Sequence, residues 1–78
     1  MSTIPMEKEL AKDLVAFKLK RLRTLVQEIL DRWNEESTTL FIEKVRKGIY
    51  ENGENDAIEL RQLLLEEKKL EEVEKKIK

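Results

Sequence analysis

Lys18, Lys20, Arg21 and Arg23 crowd four cations into the stretch FKLKRLRTL, and no acid interrupts the chain between Asp13 and Glu28. Cations at that density can neutralise the phosphates of a nucleic acid, dock an acidic protein surface, or solvate one side of a helix while their stems cover apolar neighbours. On a helical wheel of about 100° per residue the four separate. Lys20 and Arg23 fall on the solvent side near Glu9, Gln27 and Asp31, whereas Lys18 and Arg21 lie beside the apolar arc, with Phe17 next to them. A duplex-binding helix aligns its cations along one face. Phe17, Lys18 and Arg21 therefore read as a mixed apolar and basic rim suited to an acidic protein surface, and direct nucleic-acid binding through Lys18, Lys20, Arg21 and Arg23 is the alternative.

Other chemistry has little to work with. The chain contains no histidine and no cysteine, which removes the commonest general base, the commonest neutral metal ligand, the thiolate nucleophile and the disulfide staple. Its 17 acids are matched by 16 bases, and most carboxylates sit beside lysines at solvated helix positions, whereas acid–base catalysis needs a partly dry, concave site. Gly48 and Gly53 lack the pattern of a phosphate-binding loop. The expectation is a protein that is not an enzyme, with no catalytic residue, metal, cofactor or small-molecule substrate. VRKGIYENGENDAIEL places a glycine-containing turn between two helices, as in a helix-turn-helix, but the would-be recognition helix opens with Glu54, Asp56 and Glu59, which would meet phosphates with like charge.

The elements that must position these residues are helices. Seventy-eight residues form at most one small domain, 1–78, and a chain of this size buries only roughly 60% of its unfolded surface. Apolar residues make up 40% of it at helical spacing, which argues for order despite 42% charged residues. The Lys/Glu-rich profile suits a hyperthermophilic host. MSTIPMEKEL carries no apolar leader and no apolar run approaches the ~20 residues of a membrane span, so a soluble cytoplasmic protein without a membrane partner is expected.

Helices are expected over approximately 5–35, 39–51 and 56–77. In the first, capped by Ser2 or Thr3, residues Val15, Leu19, Leu22, Val26, Ile29 and Trp33 form a seam that Leu14, Leu25 and Leu30 widen. Met6, Leu10 and Phe17 make a second apolar edge. The second helix, capped by Ser37, Thr38 or Thr39, turns Leu40, Phe41, Ile42, Val45, Ile49 and Tyr50 inward; Gly48 lies inside it, where it either permits close packing or marks a weak spot, and Gly53 is the left-handed residue beyond its end. The third starts with Asp56-Ala-Ile-Glu59 as a capping box and continues through Leu60, Leu63, Leu64 and Leu65. Beyond Glu66 only Leu70, Val73 and Ile77 remain apolar, between flanks that offer Glu71–Lys75, Glu72–Lys76 and Glu74–Lys78 pairs. The fold class is all-α, a helical hairpin or short three-helix bundle with long first and third helices, which leaves apolar edges for another chain.

Charge is segregated along the chain. Residues 1–50 carry net +2, residues 51–74 net −6, and the last lysines restore the total of −1. An acidic third helix can pair with the basic middle of the first, with a second copy, or with a basic partner.

The run TLFIEKVRKGIYENGENDAIELRQLLLEEKKLEE, together with the size and the Lys/Glu-rich helices, resembles the small helical accessory subunits of archaeal replication complexes, such as a subunit bound to a family-B DNA polymerase. The resemblance implies a partner-binding subunit without chemistry of its own, acting in DNA replication. The function expected is thus protein–protein interaction, with a larger protein or with itself as a homo-oligomer, through Phe17, Lys18 and Arg21 first and Leu70, Val73 and Ile77 second. The alternatives are a nucleic-acid binder and a self-associating structural bundle.

Overall fold

The computed structural model describes residues 3–77, and side chains from residue 7 to residue 77. The chain forms three helices, α1 (Thr3–Arg32), α2 (Thr38–Arg46) and α3 (Glu54–Ile77), with no strand among the described residues. α1 and α3 run antiparallel as a long hairpin, and the short α2 lies in its connection, against both. Arg32 meets Asp56 at one end of the pair and Arg23 meets Glu67 and Glu71 further along. The molecule is a rod of 58 × 18 × 17 Å with a radius of gyration of 16.3 Å, against about 11.5 Å for a compact chain of this length. No described helix is long and apolar enough to cross a membrane.

The core follows from the wheel. Leu22, Ile29 and Leu30 of α1, Phe41 of α2, and Ala57, Leu60 and Leu63 of α3 form one buried cluster, flanked by Leu25, Val26, Trp33, Ile42, Val45, Tyr50, Leu64 and Leu70. Phe41 and Leu60 are wholly enclosed. Four residues expected to face inward are instead exposed: Leu14, Leu40, Ile49 and Leu65. Leu14 and Leu65 sit on the far sides of their helices, and Leu40 lies on the outer side of the first turn of α2. Ile49 follows the point at which α2 has already ended.

The helix ends correct the expected bounds. α1 stops at Arg32 rather than 35 because Asn34 adopts φ 54. The Asn34 N–H then donates to the Asp31 carbonyl and the Glu35 N–H to the Leu30 carbonyl, the two bonds of a Schellman motif. α2 stops at Arg46 rather than 51 by the same device. Gly48 has φ +81, its N–H donates to Val45 and the Ile49 N–H to Lys44. Gly48 is therefore the left-handed residue, and Gly53 is the close-packed one. A Cβ on Gly53 would lie 2.9 Å from Val45 Cγ2 and 3.2 Å from Tyr50 Cβ.

Ser37 caps α2 by accepting from the Leu40 N–H. The capping box at Asp56 does not form: α3 begins two residues earlier, with Gly53 accepting from the Ala57 N–H, and the Asp56 carboxylate is bound by Trp33 and Arg32. On α3, Glu72 pairs with Lys75 at i,i+3 and Glu71 reaches across to Arg23, in place of the expected pairs to Lys76 and Lys75. Ser2 as a cap, the Met6 side chain and the Glu74–Lys78 pair lie outside the described residues.

Candidate functional site

Two sites stand out, one at the junction of the three helices and one on the outer face of α1.

At the junction, Trp33, Phe41 and Tyr50 pack with ring centroids 5.0 to 5.6 Å apart. Polar groups close both sides of this aromatic knot. On one side, Trp33 Nε1–H donates to Asp56 Oδ2 at 2.8 Å, and Arg32 binds the same oxygen. The Trp33 bond, more than the Arg32 one, holds the Asp56 carboxyl below its usual value, against a burial that raises it. On the other side, Glu35 is the one buried charged residue among those described. Its carboxylate accepts from Lys44 Nζ at 2.6 Å and from the Tyr50 hydroxyl. The Lys44 bond first and the Tyr50 bond second hold the Glu35 carboxyl below the ordinary range, and the Glu35 bond is the leading cause that raises both Lys44 and Tyr50.

Every buried side-chain polar atom among the described residues has a partner. Lys44 and Tyr50 both bind Oε2 of Glu35, and a carboxylate oxygen that already accepts two protein donors acts as an anchor. No periodicity marks Glu35 in the sequence, where it stands in the polar stretch NEESTT; only the one Trp and one Tyr of the chain hint at a knot.

The outer face of α1 is different in kind. Leu10, Leu14 and Phe17 are 60%, 60% and 68% exposed, and their spacing places them within about 60° of one another, on the side of α1 turned away from the Leu19, Leu22 and Ile29 face that α3 covers. Phe17, Lys20, Arg21 and Thr24 line a shallow depression that continues the stripe. Lys18 and Arg21 are exposed beside Phe17. The seam pattern places Leu14 toward the core; the signal for its true place is the i, i+4, i+7 series that it forms with Leu10 and Phe17.

The cations of α1 part company in the fold. Arg23 donates from Nε to Glu67 at 2.7 Å and from Nη2 to Glu71 at 3.1 Å, so the acidic third helix engages it, and the Glu67 bond first and the Glu71 bond second push its pKa above the ordinary value. Lys18, Lys20 and Arg21 form no ion pair among the described residues. On α3, Leu70 packs against the core, Ile77 is half-buried and Val73 remains exposed.

No group of three or more acidic residues among those described is arranged to hold a metal ion. A scan against protein-family models finds no match, and comparisons with curated proteins and with solved structures find none either.

Proposed function

We propose that this chain is a non-enzymatic protein-interaction module whose contact surface is the outer face of α1. The observation that carries this reading is the exposed series Leu10, Leu14 and Phe17, which no described part of the chain covers although a well-formed core exists beneath the opposite face. Three large apolar side chains aligned on one helix face are the pattern of helix-in-groove and helix-on-helix docking. The hydrogen-bonded knot of Trp33, Tyr50, Glu35 and Asp56 ties the three helices together at the end from which α1 projects. The resemblance to accessory subunits of archaeal replication complexes adds the further expectation that the module serves a larger DNA-replication assembly.

The test replaces the face without touching the core. In Leu10→Gln/Leu14→Gln/Phe17→Gln, helicity and Tm stay near those of the natural chain, while association is lost, whether with itself in sedimentation or with a protein of its host in affinity capture. Equal behaviour of the two chains in both assays overturns the reading. Binding to labelled DNA or RNA at ~50 mM salt that falls steeply with added salt, survives the triple change and disappears when Lys18, Lys20 and Arg21 become Glu would move the function to phosphate.

A further inference from the structure

We infer that the partner on this face is a second copy of the chain, packed antiparallel, α1 against α1, about a two-fold axis near Leu14. The inference rests on the interaction reading above and takes it further by naming the occupant. Its basis is the order of charges around the stripe. Lys8 and Lys12 lie on the opposite side of the wheel from the stripe, and Glu28 and Asp31, 14 and 17 residues past Leu14, fall beyond the start of a reversed copy's α1. On and beside the stripe within seven residues of Leu14, the acids Glu7, Glu9 and Asp13 precede it and the bases Lys18, Lys20 and Arg21 follow it. None of the six forms an ion pair among the described residues. A helix with one sign at each end of an apolar stripe is complementary to itself when reversed, and repels itself when parallel.

The flanks agree in detail. A two-fold axis perpendicular to both helices brings each edge of one α1 onto the same edge of the other. On one edge Glu7 and Arg21 both stand seven residues from Leu14, so each Glu7 faces the Arg21 of the other copy. On the opposite edge Glu9 stands five residues away and Lys20 six, an offset of about 1.5 Å along the axis. Between the edges, Leu14 meets Leu14 across the axis and Phe17 lies beside Leu10 of the other copy. The arrangement leaves α3 on the outside of both chains and buries the three exposed apolar side chains of each copy together.

The area limits the strength. A single stripe of this kind is of the order of 300–600 Å² per copy, so the pair falls near or below the ~1,200 Å² of a stable interface. A dissociation constant of roughly 10–500 μM is expected.

Sedimentation equilibrium of the full chain from ~10 μM to ~1 mM tests this directly. The expected result is a monomer–dimer equilibrium that Leu14→Glu shifts at least ~10-fold toward monomer with unchanged helicity. Two charge-reversed chains supply the orientation. Glu7→Lys/Glu9→Lys and Lys20→Glu/Arg21→Glu should each dimerise ~10-fold more weakly alone and recover affinity when mixed with each other, because only the mixture restores opposite signs along both edges. A natural chain that stays monomeric at ~1 mM overturns the inference, as does a dimer indifferent to Leu14→Glu or to the charge reversals. If it is monomeric while the Gln triple variant still loses a captured protein, the self-pairing fails and the interaction reading stands.

Discussion

Trp33 Nε1–H donates to Asp56 Oδ2 across 2.8 Å, tying the C-cap of α1 to the first turn of α3. The Asp56 side chain is largely enclosed, so this is a charge-assisted bond in a partly dry setting, worth more than a neutral pair in water. Trp33→Phe keeps the ring and removes the donor; it should cost about 1–2 kcal/mol near neutral pH, read by denaturant unfolding followed by circular dichroism. The sign with pH follows from the depressed Asp56 carboxyl. Its contribution is complete above the unfolded value near 3.8 and is lost as pH falls through the lower folded value. The gap between the natural chain and Trp33→Phe should therefore narrow on acidification below about pH 4.

The Glu35 cluster predicts a stability profile with two shoulders. The carboxyl is held below 4.5 by Lys44 and then Tyr50, so its contribution is present above that value and lost as pH falls through the folded one. Glu35 raises Tyr50 above 10.0 and Lys44 above 10.5; their contributions are present below those values and lost as pH rises through the folded ones. Glu35→Gln should flatten both shoulders of Tm against pH. Tyr50 is the only tyrosine, so its phenolate absorbance reports directly, with a midpoint that should fall toward 10.0 in the variant. An unchanged midpoint would show that the Tyr50–Glu35 bond does not persist in solution.

The two glycines and Asn34 predict a ranking of substitutions. Gly48 has φ +81 with open space around its Cβ position, so Gly48→Ala should cost about 1–2 kcal/mol from backbone alone, and Gly48→Asn less. Asn34→Gly at φ 54 should be neutral or stabilising. Gly53→Ala fails for another reason, since Val45 Cγ2 stands 2.9 Å from the new atom. It should cost roughly 1–3 kcal/mol, and Val45→Ala in the same chain should relieve part of it. A double-mutant cycle by thermal unfolding reads this coupling; strict additivity would mean that the crowding at Gly53 is absent.

Much of this architecture was legible because helical periodicity is a repeated signal. The long α1 and α3, the short α2, and the buried Leu19, Leu22, Ile29, Phe41 and Leu60 follow from apolar spacing alone. What was not legible depends on single residues. Gly48 and Gly53 are the same letter with opposite duties: a positive φ leaves no periodic trace, and a missing Cβ matters only against the neighbour that would strike it. Asp56 followed by Glu59 has the form of a capping box, yet Trp33, just past the end of α1, outcompetes the local bond. Leu14 and Phe17 show the same limit on the α1 face. A wheel separates two apolar edges, but which edge the short α2 and the offset α3 leave open is decided by tertiary packing.

Arg23 supplies the last prediction, because two carboxylates of α3 converge on it at 2.7 and 3.1 Å. Its side chain is 57% exposed, so screening by water limits the worth of each pair. Reversal has a larger effect than removal: Arg23→Glu sets a third negative charge against Glu67 and Glu71 on the net-acidic stretch of α3. Its Tm should fall by a few degrees at low salt and recover most of that loss at ~0.5 M salt, where the Debye length shrinks to a few ångströms. Arg23→Glu combined with Glu67→Arg and Glu71→Lys should regain the natural Tm at low salt by restoring opposite signs. A loss that persists at high salt would show that the arginine stem packs on α3 and acts through burial rather than charge. The same geometry separates Arg23 from Lys18, Lys20 and Arg21. Its reversal should leave the self-association of the α1 outer face intact, since Arg23 is turned toward α3, while reversal of Lys20 and Arg21 weakens it.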